Sequence, residues 1–213
     1  MIRRIPLFPL PGVVLLPGTL LPLHIFETRY RAMVAEALEG SRIIGMALVK
    51  LDEDRSSEPP AVHSIGGAGE IVDAERLEDG RYNIVLEGRF RYRILQESAP
   101  GPYRVAEVEE LPAVPFASER ERTRMEALAI RLFGELSLPL ELPPLPQGGL
   151  PTERLASELA VRLRYTAEEL HALLATDSLA ERFRTLVTRM RGWKRRIELL
   201  APFRPSDLDP GRN

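Results

Sequence analysis

The stretch from Ile5 to Tyr30 reads IPLFPLPGVVLLPGTLLPLHIFETRY, and the interpretation of the whole chain depends on it. Its first nineteen residues, through Leu23, carry no charge, as in a membrane segment, yet they include prolines at positions 6, 9, 11, 17 and 22. Five prolines would leave too many backbone groups unpaired in lipid. A secretory signal also needs a small-residue cleavage site, which LPLHIFETRY does not offer. The sequence therefore predicts a cytoplasmic chain in which this stretch is structural.

The composition is that of a globular protein without thiol chemistry. The chain has 213 residues, of which 44% are hydrophobic and 28% charged, and its formal net charge is −2. That length can bury a sizeable core in one large domain or two modest ones. A net charge so close to zero gives no overall attraction to nucleic acid or to an anionic membrane. Because cysteine is absent, disulfides, thiolate nucleophiles and cysteine metal sites are excluded.

The opening part of the chain is predicted to be rich in strands. Pro-Gly pairs at positions 11–12 and 17–18 are turn signals between short apolar runs. The runs predict strands at Ile5–Leu10, Val13–Leu16 and Thr19–Phe26, with their prolines at ends or edges, then a helix through Leu38 and a strand at Ile43–Val49. The glycines of GGAG (66–69) precede a strand rather than a helix. They therefore predict a bend or bulge and not a phosphate loop.

Two longer strands, Gly69–Leu77 and Arg81–Leu95, flank the hairpin signal Glu78-Asp79-Gly80. The second strand alternates between two kinds of residue. Its apolar face is predicted to hold Phe90, Tyr92 and Ile94, and its solvent face Arg89, Arg91 and Arg93.

Beyond a boundary at Leu111–Ser118 the apolar spacing becomes helical. Capping boxes are predicted from Ser118 with Glu121 and from Thr166 with Glu169. The longest helix follows Asp177, and its apolar stripe is predicted to bury Phe183, Leu186, Met190 and Trp193. The residues alone thus predict an α+β protein, with a mostly β part that contains one inserted helix, followed by a helical bundle.

Three segments carry a resemblance to a known family. They read PLFPLPGVVLLPGTLLPLHIFETRYRAMVAEAL, GEIVDAERLEDGRYNIVLEGRFRYRIL and DSLAERFRTLVTRMRGWKRRIELL. Together they resemble the N-terminal, substrate-binding domain of Lon proteases, in the form found as free-standing small proteins. The resemblance implies a PUA-like β pseudo-barrel with one inserted helix, packed on a C-terminal helical bundle. We assign residues 1–114 to the β-rich part, 115–201 to the helical part and 202–213 to a flexible tail.

The resemblance does not extend to the catalytic motifs of Lon. That protease hydrolyses ATP through a G-x-x-x-x-G-K-[ST] loop and cleaves peptides with a serine–lysine dyad. The only lysines here, Lys50 and Lys194, lie in ALVKLDE and RGWKRRI, without the glycine pattern or a following Ser or Thr. We therefore expect a protein that is not an enzyme and needs no cofactor. His24, His63 and His171 also lack metal-ligand spacing, so no metal site is expected.

In full-length Lon this region helps to recognise and hold protein substrates. The resemblance therefore implies a protein-binding module for exposed apolar or unfolded polypeptide, acting as a protease-associated adaptor in protein quality control. The candidate polypeptide-binding surface is the segment that contains His24, Glu27, Arg29 and Tyr30. Two alternatives stay open: His24 as a hydrogen-bonded structural histidine, and Glu27 as a favourable charge at the N-terminus of the following helix.

A second candidate surface lies on the last helix, where seven basic residues and two acidic ones lie between Leu179 and Leu200. The basic partner surface is predicted to contain Arg189, Lys194, Arg195 and Arg196. Its complement within the fold or between molecules would be the acidic segment Leu51–Gly80, and the alternative is a solvated helix face. Because PUA-like folds also bind RNA, an RNA-binding protein that uses the alternating arginines is the rival function.

Overall fold

The computed structural model describes residues 1–50, 60–98 and 101–200, which contain six strands and five helices. The strands are β1 (Ile2–Leu10), β2 (Leu20–Ile25), β3 (Ile43–Leu48), β4 (Ile65–Arg76), β5 (Tyr82–Glu97) and β6 (Arg104–Leu111). The helices are α1 (Thr28–Glu39), α2 (Glu119–Ser137), α3 (Thr152–Arg162), α4 (Ala167–Ala175) and α5 (Leu179–Leu200). The tail predicted at 202–213 lies outside the described residues.

The six strands form one mixed sheet that closes on itself. The strand order is β2-β5-β4-β3-β1-β6, and β6 also pairs with β5, so five strands make a closed ring to which β2 is attached through β5. β1 and β3 are parallel, and the other pairs are antiparallel. The α+β class and the order of a β part before a helical part are confirmed. The closed ring supports the predicted pseudo-barrel, whose PUA-like kinship stays a prediction.

The prolines inside β1 lie where that strand has a neighbour on one side only. β1 pairs with β6 over Ile2–Leu7 and with β3 over Leu7–Leu10. Pro6 therefore has only β6 beside it, and Pro9 has only β3. Because proline has no N–H to donate, this staggered pairing allows two prolines in a strand that nevertheless joins two others.

The strand predicted at Val13–Leu16 is wrong. The segment lies between the two Pro-Gly turns and pairs with no strand in the described part of the chain. Instead its backbone crosses closely over the sheet: a Cβ added to Gly67 would lie 1.9 Å from the carbonyl oxygen of Leu15, and one added to Gly88 would lie 2.1 Å from that of Leu16. Leu15 is buried in the core of the β part, whereas Leu16 is buried in the core of the helical part.

The β4–β5 hairpin and its irregularity are confirmed. Gly80 takes the positive φ of 80° that the turn requires, and the Arg81 N–H donates to Asp79 Oδ1 at 3.0 Å. Both strands are longer than predicted. The pairing register shifts between Ala68 and Gly69, so the GGAG segment does form a bulge.

Of the two predicted capping boxes, the one at Thr166 forms completely, and the one at Ser118 forms only one of its two hydrogen bonds. The Thr166 hydroxyl accepts from the Glu169 N–H at 3.3 Å, and Glu169 Oε2 accepts from the Thr166 N–H at 2.8 Å, which completes a capping box. At Ser118 the hydroxyl accepts from the Glu121 N–H at 3.2 Å without the reciprocal bond. Among the helices of the described residues, none is both long and apolar enough to cross a membrane.

One arginine of the alternating repeat joins the β part to the helical part. The prediction that all three face solvent is wrong, because Arg91 is only 1% exposed while Arg89 and Arg93 are exposed. The Arg91 guanidinium donates to the carbonyls of Pro112 (3.0 Å), Leu174 (2.7 Å) and Thr176 (3.2 Å) and to Asp177 Oδ1 (3.0 Å). Three of these acceptors lie at the end of α4, where the helix dipole favours a cation. The helices cover this face of β5, and the sequence alone does not show that cover.

Candidate functional site

A cleft of about 530 Å³ opens at the end of β1, between the start of α1 and the connection from β5 to β6. Its lining is mostly apolar and rich in proline and tyrosine. The apolar lining residues are Pro9, Leu10, Pro11, Tyr30, Val49, Pro60, Pro102 and Tyr103. The charged ones are Glu27, Arg29, Glu97 and Arg104. We call this cavity the cleft.

The first turn of α1 forms one wall of the cleft. Glu27 occupies the N-cap position of the helix without a side-chain capping bond, and its carboxylate instead accepts from Arg29 Nε at 2.9 Å. The Arg29 guanidinium lies over the Tyr30 ring at 4.6 Å, and that ring packs against Phe8 at 4.3 Å. Burial raises the pKa of Tyr30, against the opposing charge of Arg29. This wall is therefore a rigid aromatic surface whose charges are paired with each other.

The start of β6 forms the opposite wall. The Tyr103 hydroxyl donates to Glu36 of α1, so the two walls are joined by a hydrogen bond. Burial and this bond raise the pKa of Tyr103 to about 12. Arg104 binds the carboxylate of Glu97 and donates to the Pro60 carbonyl at 2.8 Å. These contacts fix the positions of Tyr103 and Arg104 in this wall.

Three of the four residues predicted for polypeptide binding therefore lie together at the cleft, and one does not. His24 lies on β2, outside the cleft, with Nδ1 2.8 Å from Asn83 Oδ1 and Nε2 3.1 Å from a terminal nitrogen of Arg81. Its ring stacks beside the exposed ring of Phe26 at 6.3 Å. These contacts are those of a hydrogen-bonded structural histidine. A binding role for the four residues stays a prediction.

The four residues predicted as a basic surface on α5 do not form one free patch. Arg189 lies over the rings of Tyr165 (4.0 Å) and Trp193 (5.0 Å) and pairs with Glu169. Lys194 pairs with Glu135 of α2 at 2.7 Å, and the hydrogen bond keeps the pKa of that carboxyl below its usual range. Arg195 and Arg196 are exposed.

The predicted burial of the α5 stripe holds for Phe183, Leu186 and Met190 but not for Trp193, which is only partly buried. Trp193 is one of the partly buried residues that pack against the helical core, and Arg189 lies over its ring at 5.0 Å. The last turns of α5 are thus less covered than the apolar spacing predicts.

No local pattern in the sequence marks Leu10, Tyr103 and Arg104 as cleft residues. Leu10 ends β1, Tyr103 precedes β6 and Arg104 begins it, and the antiparallel pairing of Leu7 with Arg104 brings the two strand ends together. Across residues 1–50, 60–98 and 101–200 no cluster of three or more His, Asp or Glu side chains has the arrangement of a metal site. The lining of the cleft offers apolar side chains and hydrogen-bonding groups.

Relatives of known sequence place the chain among parts of Lon proteases. Lon protease 2 of Myxococcus xanthus is 28% identical over 203 residues, which cover 91% of this chain and 24% of that protein. The peroxisomal Lon protease homolog 2 of Danio rerio is 29% identical over an alignment of 227 positions; the match covers 96% of this chain and 27% of that protein. The chain thus spans about a quarter of the length of these relatives.

Solved structures and a family model agree with that placement. A Lon N-terminal domain protein from Xanthomonas campestris matches with a TM-score of 0.64 at 24% identity, over 87% of this chain and 98% of that one. The N-terminal domain of Lon protease from the Mycobacterium avium complex matches with a TM-score of 0.65 at 20% identity, over 89% and 98%. The model of the substrate-binding domain of ATP-dependent protease La (Lon) matches residues 4–191. The chain therefore belongs to the family of the Lon substrate-binding domain.

Proposed function

We propose that this chain is a non-catalytic polypeptide-binding module that holds exposed apolar or unfolded segments in the cleft, and that it serves a protease as an adaptor. The observation that carries the proposal is the chemistry of the cleft, a proline- and tyrosine-lined cavity whose two walls are joined by the bond from Tyr103 to Glu36. Tyrosine and proline offer rigid contact area, which is ordered at low cost in conformational entropy. The proposal includes the cytoplasmic location predicted from the sequence.

The charges of the cleft favour an uncharged ligand. Glu27 pairs with Arg29, and Glu97 pairs with Arg104, so the two carboxylates and two guanidinium groups balance within the wall itself. A strongly charged ligand would have to displace one of these pairs. An extended apolar segment needs no such exchange, because its side chains contact the rings while its backbone polar groups stay near the rim.

The rival RNA-binding function has less support, because its predicted platform is interrupted. Arg91 is buried between the β part and the helices, and the flanking Arg89 and Arg93 have carboxylate partners in Glu70, Glu87 and Glu109. A continuous basic surface for phosphates is therefore absent from this face of β5 in the described residues.

Fluorescence anisotropy with an unfolded polypeptide tests the proposal. The probe is a fluorescein-labelled polypeptide that has been reduced and carboxymethylated so that it stays unfolded, titrated at 50 mM and 500 mM salt. Tyr103→Ala removes a cleft ring and should weaken binding by roughly tenfold, which is the cost of one well-packed aromatic contact. Binding should persist at high salt, since screening weakens exposed charge pairs but not apolar contacts.

Phe26→Ala is the matched control, because it removes an exposed aromatic ring near His24 and outside the cleft. Equal affinity for the wild type and Phe26→Ala, with a loss in Tyr103→Ala, supports the cleft. A loss in Phe26→Ala alone would move the binding surface to the His24 side of β2. Binding of single-stranded RNA that vanishes at high salt, without binding of the polypeptide, would favour the rival function.

A further inference from the structure

We infer that the groove between α2 and α5 is a docking surface for an acidic, amphipathic helix of a partner protein. The groove has a volume of about 360 Å³ and lies in the helical part of the molecule. We call it the α2–α5 groove, lined by Glu121, Arg124, Met125, Leu128, Arg184, Val187, Thr188 and Arg191. None of these residues lines the cleft, so the inference is independent of the proposed function.

The shape of the groove follows from how the two helices lie. Arg184 pairs with Glu121 near the start of both helices at 3.2 Å, and Lys194 pairs with Glu135 near their ends at 2.7 Å. The two helices therefore run side by side in the same direction. Side-chain ridges of two such helices leave a groove along the open side, and a third helix can pack into it.

The floor of the groove is apolar and incompletely covered. Val187 is buried, but Met125 and Leu128 are only partly buried although they pack against the helical core. Covering these side chains with apolar groups of a partner would remove their remaining surface from water, which favours binding.

The rim of the groove is basic, because it has more arginines than carboxylates to pair with them. Its charged lining consists of three arginines and Glu121. Arg184 forms an ion pair with Glu121, whereas Arg124 and Arg191 have no ion pair with any residue in the described ranges. Elsewhere on α5, Arg182 pairs with Glu153 and Arg189 pairs with Glu169, while Arg195 and Arg196 are exposed outside the groove. The missing carboxylates at this groove are what a partner would bring.

The spacing of the arginines fits a helix better than an extended chain. Arg184 and Arg191 are seven residues apart on one helix, a rise of about 10.5 Å, and a parallel partner helix repeats at the same interval. Carboxylates at i and i+7 on one edge of the partner would face these two arginines, and a carboxylate on its other edge would face Arg124. The apolar stripe between the two edges would contact the floor, as in helix-in-groove recognition.

Anisotropy with designed peptides tests this inference. The probe is a fluorescein-labelled 18-residue helical peptide with a leucine stripe flanked by glutamates on both edges, and its control has lysines in place of those glutamates. The glutamate peptide should bind and the lysine peptide should not. Arg124→Glu combined with Arg191→Glu should weaken binding of the glutamate peptide by at least about tenfold, because two attractions become repulsions. The same double variant should gain affinity for the lysine peptide.

Arg120→Glu combined with Arg195→Glu is the matched control. It makes the same change in charge on the same two helices, at exposed arginines that do not line the groove. Retained binding in this control, together with the loss and the charge swap in the groove variant, supports the inference, provided that far-UV circular dichroism shows both variants folded. Equal losses in the two double variants, or no binding of the glutamate peptide by wild type, would overturn it. Binding of a 12-residue oligouridine in place of the peptide, lost in the groove variant, would also overturn it in favour of phosphate recognition.

Discussion

Replacing Arg91 with alanine should cost this protein a large share of its stability, although the sequence around it reads like a surface strand. The substitution removes the guanidinium that donates to the carbonyls of Leu174 and Thr176, to the carbonyl of Pro112 and to the carboxylate of Asp177. The Thr176 carbonyl keeps a bond from Arg182 Nε at 2.7 Å, and the largely exposed Asp177 carboxylate can turn to water.

The expected loss in the free energy of unfolding follows from the backbone carbonyls that lose their donor. The Leu174 and Pro112 carbonyls lose a charged donor at the covered junction, and each costs about 1–3 kcal/mol. Lost packing of the buried side chain adds to this, so we expect about 3–5 kcal/mol in total, as for other broken buried ion pairs. Arg91→Lys should recover only part of the loss, since a lysine offers no planar fork to several acceptors.

Urea denaturation followed by far-UV circular dichroism measures this change. Arg93→Ala is the control, two residues away on the same strand, with a half-exposed side chain and a 3.7 Å pair with Glu109. It should cost at most about 1 kcal/mol. If Arg91→Ala lowers the free energy of unfolding by no more than Arg93→Ala does, Arg91 is not the junction between the two parts and the reasoning fails.

Three further predictions concern the crossing segment, a partly buried histidine and the end of α5. Gly67→Ala would place the new methyl carbon 1.9 Å from the carbonyl oxygen of Leu15 and should therefore lower the thermal midpoint by roughly 5–10 °C. Gly149→Ala is the control, because a Cβ there would have no atom within 4 Å, and it should leave the midpoint unchanged. Burial, and then the imidazole of His63, lower the pKa of His171 in the folded protein. The free energy of unfolding should therefore decrease as the pH falls below about 6.5, the ordinary pKa of histidine. The thermal midpoint of His171→Asn should depend less on pH than that of the wild type. Trp193→Ala should cost about 1–2 kcal/mol in urea denaturation, below the ~3–5 kcal/mol of a fully buried aromatic, because Trp193 is only partly buried.

Each of these predictions has a clear opposing result. Equal midpoints for the two glycine variants would mean that the crossing segment moves aside at no cost. A wild type whose midpoint is unchanged between pH 7 and pH 5 would show that protonation of His171 is tolerated in the folded state. A loss above 3 kcal/mol at Trp193 would place the indole inside the core.

Features set by neighbouring residues were predictable from the sequence, and features set by distant contacts were not. The Thr166 capping box and the Asp79–Gly80 turn depend on residues within three positions, and both formed as predicted. Arg91 differs from Arg89 and Arg93 by no local signal. Its burial is decided by the end of α4, more than eighty positions later along the chain.

In the candidate site, too, residues close in sequence were predictable and residues brought together from distant segments were not. Glu27, Arg29 and Tyr30 were predicted because they follow one another in a recognisable segment, and they do lie together. His24 shares that segment, but strand alternation on β2 directs it to Asn83 rather than to the cleft. Tyr103, on the opposite wall, lies just before β6 and far from α1 in sequence, and the sequence does not show that its hydroxyl reaches Glu36.

The crossing segment at Val13–Leu16 has a consequence for how the chain can be made and divided. Leu16 leaves the ribosome early, yet Ala156 and Leu186, which lie beside it in the helical core, come more than a hundred positions later, and the α4 acceptors of Arg91 also follow the whole β part. A fragment that ends at residue 114 would retain the strands but expose Leu16 and leave Arg91 without most of its acceptors. We therefore expect such a fragment to aggregate or be degraded, and the shortest useful recombinant product to extend through α5. We therefore expect the two parts to fold as one cooperative unit.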